Sequence, residues 1–488
     1  MGLRIAMVAS EVTPFAKTGG LADVAAALCK HLHGAGHDVR LFMPFYSRID
    51  RAALELAPLE SLQQLPLEFG GHRYQYSVHS SRLPNSDARV YLIDCPTLYA
   101  RAGIYTADVD EHLRFLALTR ASIECCQRMG WAPQIFHFND WHTAFGPLLL
   151  KSAYAWDQLF AATRSVLSIH NIGYQGVFAA ASAEDIALGD KFYLLHQDDL
   201  AQGRINSLKH GVMYADLIAT VSPTYAREIL SAEYGMGLQD DLAVRASQGH
   251  LVGILNGVDY DDWDPRWDQW LPRHFGPFEL DIKAGLKKEF LSKLRLKARA
   301  RTMLLGLVSR FTVQKGFDLL FDTLPPLLAT RDLCFVALGS GEERYEKFFA
   351  QLQRQFPERA VFHRGYSDEM AHWIEAASDA FVMPSLYEPC GLNQMYSQRY
   401  GTVPIVRRTG GLADSVQLFD PATGLGTGIV FNDYNTTAMG WALRTTLDLY
   451  RQPAAWKRLV QNAMAQDFSW ERQGKLYIDM YQRLAGLS

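Results

Sequence analysis

The chain has 488 residues, too many for one hydrophobic core, so length alone sets an expectation of two to three domains. Hydrophobic residues make up 48% and charged residues 20%, the profile of a soluble globular enzyme rather than a disordered or fibrous chain. The net charge of −4 implies no large basic surface, which argues against nucleic acid or an anionic membrane as the main partner.

Met1-Gly2-Leu3-Arg4-Ile5-Ala6 runs straight into an apolar stretch without signal-peptide architecture. Ala6 stands where a myristoylation signal wants Ser or Thr. No apolar run is long enough to span a bilayer. Cys29, Cys95, Cys125, Cys126, Cys334 and Cys390 form neither a disulfide framework nor a zinc pattern. A cytoplasmic protein is expected.

Leu3–Ala9, Val90–Ile93, Ile135–Phe138 and Val166–Ile169 read as buried strands in the first half. Met303–Val308, Leu333–Leu338, Ala360–His363, Ala380–Met383 and Val403–Val406 do so in the second. Helical patterns separate most of them, among them Leu21–Leu32, His112–Arg128 and Asp318–Leu328. Continuous apolar runs alternating with helices predict parallel, doubly wound α/β sheets, here two of them. The seam is expected after Gly253–Asp259. The aromatic, acidic stretch from Tyr260 to Phe278 reads as a connecting loop. Ligands of such sheets bind beyond the carboxyl ends of the strands, so the natural site is a cleft between the two sheets.

One hexapeptide occurs twice: Thr18-Gly19-Gly20-Leu21-Ala22-Asp23 and Thr409-Gly410-Gly411-Leu412-Ala413-Asp414. Each copy follows a predicted strand and opens a predicted helix, where glycines allow close approach and free N–H groups favour an anion. Tight turns alone would also account for the glycines. Lys17 precedes the first copy and can meet a phosphate as a point charge, or stand solvated. Arg310 follows the strand Met303–Val308, and Lys315 comes at the start of the next helix. Two fixed cations there would oppose negative charge as it develops on a departing diphosphate. At about 4 Å and an effective dielectric of about 20, one pair is worth roughly 4 kcal/mol before desolvation.

His137-Phe138-Asn139-Asp140-Trp141-His142 ends another strand, with Asp140 placed for a sugar and the two histidines pointing differently, against a metal. His170-Asn171 follows the strand after it; a structural histidine and a substrate contact are both open. Glu388-Pro389-Cys390-Gly391-Leu392 follows Met383-Pro384-Ser385. Its carboxylate can accept hydrogen bonds from sugar hydroxyls or serve as a loop salt bridge. Cys390 has no nearby histidine base and reads as pocket packing. Asp259-Tyr260-Asp261-Asp262-Trp263-Asp264 contains an Asp-x-Asp, a metal-holding pattern in some transferases. It sits at the seam, so a solvated linker is the preferred reading.

Taken in order, these motifs resemble the bacterial glycogen and plant starch synthases. Thr220–Ala226, Gly253–Asp259 and Arg399-Tyr400-Gly401-Thr402 extend the likeness over nearly the whole chain. The resemblance implies an α/β GT-B fold, two Rossmann-like doubly wound parallel-sheet domains facing across a deep cleft. It also implies a glucosyltransferase that elongates an α-1,4-glucan such as glycogen from ADP-glucose. Expected boundaries are 1–256 for an acceptor-side domain, 257–468 for a donor domain, and 469–488 for a helix near Trp470–Leu484 returning to the first.

By resemblance, Lys17, Gly19 and Gly20 belong to the donor site, and Arg310 and Lys315 clamp the pyrophosphate. Glu388 holds donor glucose hydroxyls beside Cys390, Gly391 and Leu392. Thr409 and Gly410 add donor contacts, and Tyr366 meets the nucleoside. Asp23, Tyr99, Asp140 and Asn171 lie on the acceptor side, with His170 among the catalytic residues. No metal and no cofactor is implied. Cys29 stands where relatives often carry proline, and Met395-Tyr396-Ser397-Gln398 departs from the usual wording after the glutamate motif. A sugar-nucleotide isomerase and a non-catalytic glucan-binding protein are the rival readings. A dinucleotide oxidoreductase is disfavoured, because Gly339-Ser340-Gly341 lacks the third glycine of that fingerprint.

Overall fold

The computed structural model describes residues 2–299 and 301–487. The chain divides into two compact units, one running to Gly257 and resuming at Trp470, the other running from Val258 to Ser469.

The first unit contains β1 Arg4–Val8, β2 Asp38–Pro44, β3 Ala57–Pro58, β4 Leu65–Phe69, β5 His72–Arg82, β6 Arg89–Asp94, β7 Ile135–Asn139 and β8 Arg164–Ile169. It continues with a separate ribbon of β9 Val177–Ala179 and β10 Arg204–Asn206, then β11 Leu217–Thr220 and β12 Leu251–Gly253. The main sheet runs β12-β11-β8-β7-β1-β2-β6-β5-β3, with β4 on β5. Strands from β12 to β6 are parallel, and β3, β4 and β5 add an antiparallel edge.

Burial explains which strands the apolar pattern could find. Every residue of β7 is buried, as in a strand covered on both faces. Along β4 buried and exposed residues alternate, so its polar half breaks up the apolar signal. The chain moves outward from β1 through β2 to β6 and returns to β7 on the far side of β1. That reversal opens a crevice at the carboxyl ends of β1 and β7.

Helix Trp470–Leu484 packs within this unit through buried Trp470, Tyr477, Met480 and Tyr481, each worth about 2 kcal/mol of apolar burial. Tyr481 Oη lies 2.6 Å from His137 Nδ1. A Cβ on Gly474 would stand 2.1 Å from the His31 ring, so only glycine allows that approach.

The second unit carries β13 Met303–Phe311, β14 Leu333–Gly341, β15 Ala360–Arg364, β16 Ala380–Met383, β17 Val403–Arg407 and β18 Ile429–Phe431. They form one parallel sheet, β15-β14-β13-β16-β17-β18, which reverses between β13 and β16. β13 is longer than the apolar run predicts. Its backbone keeps pairing with β14 through Arg310 and Phe311, so Arg310 lies inside the strand, one residue before its end, instead of following it.

The stretch after the seam is irregular, yet it is not a solvated linker. Asp264 is fully buried between the guanidinium groups of Arg266 and Arg399. Trp263 stacks between His372, with centroids 3.8 Å apart, and Tyr396 at 4.0 Å. Acidic composition suggested solvent exposure, but one neighbouring and one distant arginine neutralise the charge.

Candidate active site

The crevice of the first sheet is lined by the loops after β1 and β7. Asp140 follows β7 with φ +53°, a left-handed conformation that aspartate tolerates better than most residues. Its carboxylate turns toward the end of β8, where Oδ1 accepts the N–H of His170 at 2.7 Å and of Asn171 at 3.3 Å. The His170 ring lies 2.9 Å through Nε2 from Asn139 Oδ1, and Asn139 in turn donates to the Val8 carbonyl at 2.9 Å. Asp140, Asn139, His170 and Asn171 therefore form one connected group at the ends of β1, β7 and β8.

Burial sets the protonation of this group. It lifts the Asp140 carboxyl to about 7, partly offset by the two backbone bonds. It lowers His170 to about 4, so the imidazole is neutral at pH 7. His137 is lowered to about 3 by burial, and both of its ring nitrogens are engaged, with Tyr481 and with Ser168 at 2.6 Å. It is a core group and has no nitrogen left to share with His142 on a metal.

The glycine turn after β1 differs from expectation. The N–H groups of Thr18 and Gly19 do not stand free. Both donate to Glu11 Oε2, as does the Thr18 hydroxyl. Lys17 is held 2.9 Å from Asp23, which also accepts the Thr13 hydroxyl at 2.9 Å. Asp23 thus restrains the lysine. Glu11, only 3% exposed, organises the turn, a role that spacing alone did not reveal. Gly20 is exposed at the helix start.

Tyr99 takes no acceptor-side position. It is fully buried and its hydroxyl donates to the Arg114 carbonyl at 2.9 Å, so the ring and its polar atom both belong to the core.

In the second unit the loops after β13 and β16 are fastened together. Lys315 Nζ lies 2.7 Å from Glu388 Oε2, which also accepts the Ser385 hydroxyl at 3.0 Å. Leu386 N–H donates to the Gln314 carbonyl at 2.9 Å. Gly316 has φ +69°, and a Cβ there would stand 2.0 Å from the Pro384 carbonyl oxygen. Arg310 is exposed at the end of β13. Glu388 and Cys390 are buried, and Gly391 and Leu392 are half-buried beside them.

The second copy of the hexapeptide is also spent internally. A Cβ on Gly410, whose φ is +42°, would meet the Glu388 carbonyl oxygen at 2.0 Å, and one on Gly411 would meet that of Cys390 at 2.1 Å. Gly411 N–H donates to the Glu388 carbonyl at 3.1 Å. The glycines permit backbone-to-backbone packing, which brings buried Thr409 and Gly410 against the glutamate loop. Gln394 reinforces the junction. Its amide donates to the Cys390 and Gly391 carbonyls and, at 3.0 Å, to the Ser415 hydroxyl. Tyr366 is 59% exposed, with its hydroxyl on Asp368 at 2.8 Å.

Among the described residues no three histidine, cysteine or acidic side chains gather as a metal site, and no helix is long and apolar enough to cross a membrane. All six cysteines are buried free thiols.

Residues 4–244 match the family model for the starch synthase catalytic domain, and residues 293–463 that for glycosyl transferases group 1. The chain is 41% identical to glycogen synthase 1 of Geobacter metallireducens, over 99% of this chain and 96% of that one. It is 38% identical to glycogen synthase of Thermotoga maritima, covering 99% of each. The catalytic domain of starch synthase IV from Arabidopsis thaliana, solved bound to ADP and acarbose, superposes with a TM-score of 0.91 at 32% identity, covering 100% of both chains. Sucrose-phosphate synthase from Thermosynechococcus elongatus shares the fold at a TM-score of 0.63 and 16% identity. The fold is GT-B, with two Rossmann-like parallel-sheet units. The chain belongs to the glycogen and starch synthase family, glucosyltransferases that elongate a glucan.

Proposed function

We propose that this glucosyltransferase takes glucose from ADP-glucose and adds it, with retention of the α configuration, to the non-reducing end of an α-1,4-glucan. The observation that carries the donor reading is the 2.7 Å contact between Lys315 and Glu388 at the reversal point of the second sheet. It joins a cation suited to a leaving diphosphate with a carboxylate suited to glucose hydroxyls. The ADP and acarbose held by the Arabidopsis relative support the same pair of substrate classes, a nucleotide sugar and a glucan.

In this reading Arg310 and Lys315 stabilise charge on the departing ADP, and Lys17 contributes to the diphosphate once released from Asp23. Glu388 holds the sugar beside Cys390, Gly391, Leu392, Thr409 and Gly410, and Tyr366 meets the nucleoside. Asp140 fixes the His170 and Asn171 peptides. The His170 carbonyl then stabilises the oxocarbenium-like centre, and Asp23 and Asn171 serve the acceptor side. The acceptor 4-hydroxyl attacks from the face the diphosphate leaves and passes its proton to the leaving phosphate oxygen. No protein nucleophile and no metal is required. Exclusion of water during the reaction limits donor hydrolysis.

The test measures nucleotide release from ADP-glucose and UDP-glucose, with and without glycogen, and the anomeric form of the new bond. Glycogen-dependent ADP release with α product is expected and should survive EDTA. A preference for UDP-glucose, a β product, or loss with EDTA that magnesium restores would each overturn the corresponding part.

A further inference from the structure

The segment after the seam, which the reaction scheme leaves without a role, grips one helix at successive positions. That helix, Asn393–Arg399, begins directly after the Glu388–Leu392 loop. Trp263 stacks on Tyr396 with an interplanar angle of 2°. Arg399 places Nε 2.8 Å from Asp264 Oδ2. The hydroxyl of Tyr400, which caps the helix, donates to Asp268 Oδ2 at 2.7 Å, the oxygen also met by His372 Nδ1 at 2.8 Å. The same segment is tied to both places where the chain crosses between units. Val258 N–H donates to the Phe468 carbonyl at 2.7 Å, Phe468 N–H donates to the Tyr260 hydroxyl at 3.0 Å, and the Arg399 guanidinium lies 4.3 Å from the Tyr260 ring centroid.

The helix has a second set of partners. Gln394 holds the Cys390 and Gly391 carbonyls and the Ser415 hydroxyl, and Gln398 donates to the Ser415 carbonyl at 3.0 Å. At about 100° per residue, positions 394 and 398 share one face, and 396, 399 and 400 share the opposite one. One face therefore fastens the glutamate loop and the glycine turn, while the other is held by the strap from Tyr260 to Asp268.

We propose that Arg399, through Asp264 and Tyr260, is a positioning residue that fixes the donor-binding loop Glu388–Leu392 from behind. It does not touch substrate. The proposal rests on the reading that this loop holds the donor sugar. Because Arg266 also pairs with Asp264, removal of Arg399 does not strand a buried charge.

The test compares Arg399→Met and Arg399→Lys with the wild-type chain by hydrogen exchange and kinetics. In Arg399→Met the amides of residues 386–392 should exchange at least about tenfold faster, with β13 and β14 unchanged. The KM for ADP-glucose should rise about fivefold or more, the KM for glycogen should stay within twofold, and Arg399→Lys should recover part of the loss. If Arg399→Met does not fold, the lysine variant carries the same readouts, since it keeps the charge and loses only the forked geometry. Unchanged exchange in the loop overturns the strap itself. Faster exchange with an unaltered donor KM overturns instead the placement of the donor at this loop, and the proposal with it.

Discussion

Asp140→Asn separates what the carboxylate holds from what its charge costs. Asparagine keeps an Oδ1 that can accept the His170 and Asn171 amides, the bonds Asp140 makes at 2.7 and 3.3 Å. It cannot ionise. The unfolded chain releases this proton near the ordinary value of 3.8, whereas the buried folded group releases it only near 7. Between those values the folded state retains a proton that the unfolded state has lost, so stability falls as pH rises through that window. At about 1.4 kcal/mol per unit, the full interval is worth up to about 4 kcal/mol. The variant and the wild type should therefore be equally stable near pH 3.5. By pH 7.5 the variant should be the more stable by a few kcal/mol. Urea unfolding of both chains at half-unit steps from pH 4 to 8 reads the difference directly. A stability difference that stays flat across this range would refute the claim that burial outweighs the two backbone hydrogen bonds to Asp140.

Lys315→Ala should lower kcat/KM for ADP-glucose by about a hundredfold or more, because it removes a preorganised cation from the leaving diphosphate; activity within threefold of wild type would remove the clamp. Gly410→Ala must fit a Cβ 2.0 Å from the Glu388 carbonyl oxygen at φ +42°. It should lower Tm by several degrees and weaken donor binding, and an unchanged melting curve would contradict the packing described. Tyr99→Phe loses one buried hydrogen bond to the Arg114 carbonyl, a cost of about 1–3 kcal/mol, and should leave the KM for glycogen unaltered.

Much of the candidate site was legible because strand ends carry it. The apolar runs ending at Phe138 and Ile169 are bounded sharply by polar residues and the one ending at Met383 by Pro384, so Asp140 and His170 could be placed at strand ends, and Glu388 in the loop after one, without a structure. Arg310 was placed after a strand that in fact continues through Phe311, since a polar Ser309-Arg310 pair ends an apolar run without ending backbone pairing. The alternating edge strands β4 and β5 left no continuous run to recognise.

Other features depended on partners that only the folded chain brings into contact. The turn amides of Thr18 and Gly19 looked available to an anion until the Glu11 carboxylate was found on them. Tyr99, placed on the acceptor side by resemblance alone, is buried with its hydroxyl on the Arg114 carbonyl.

The order of apolar runs, glycine turns and polar strand ends by itself determined two largely parallel α/β sheets, because side-chain periodicity and local backbone freedom are written into neighbouring residues, while the family was implied by the resemblance of the ordered motifs from Lys17–Asp23 to Thr409–Asp414. Which charges are already spent was decided only by tertiary structure. Lys17 on Asp23, Lys315 on Glu388, and Arg399 on Asp264 are each set by where folding brings a partner, and electrostatic energy depends on separation and burial in space.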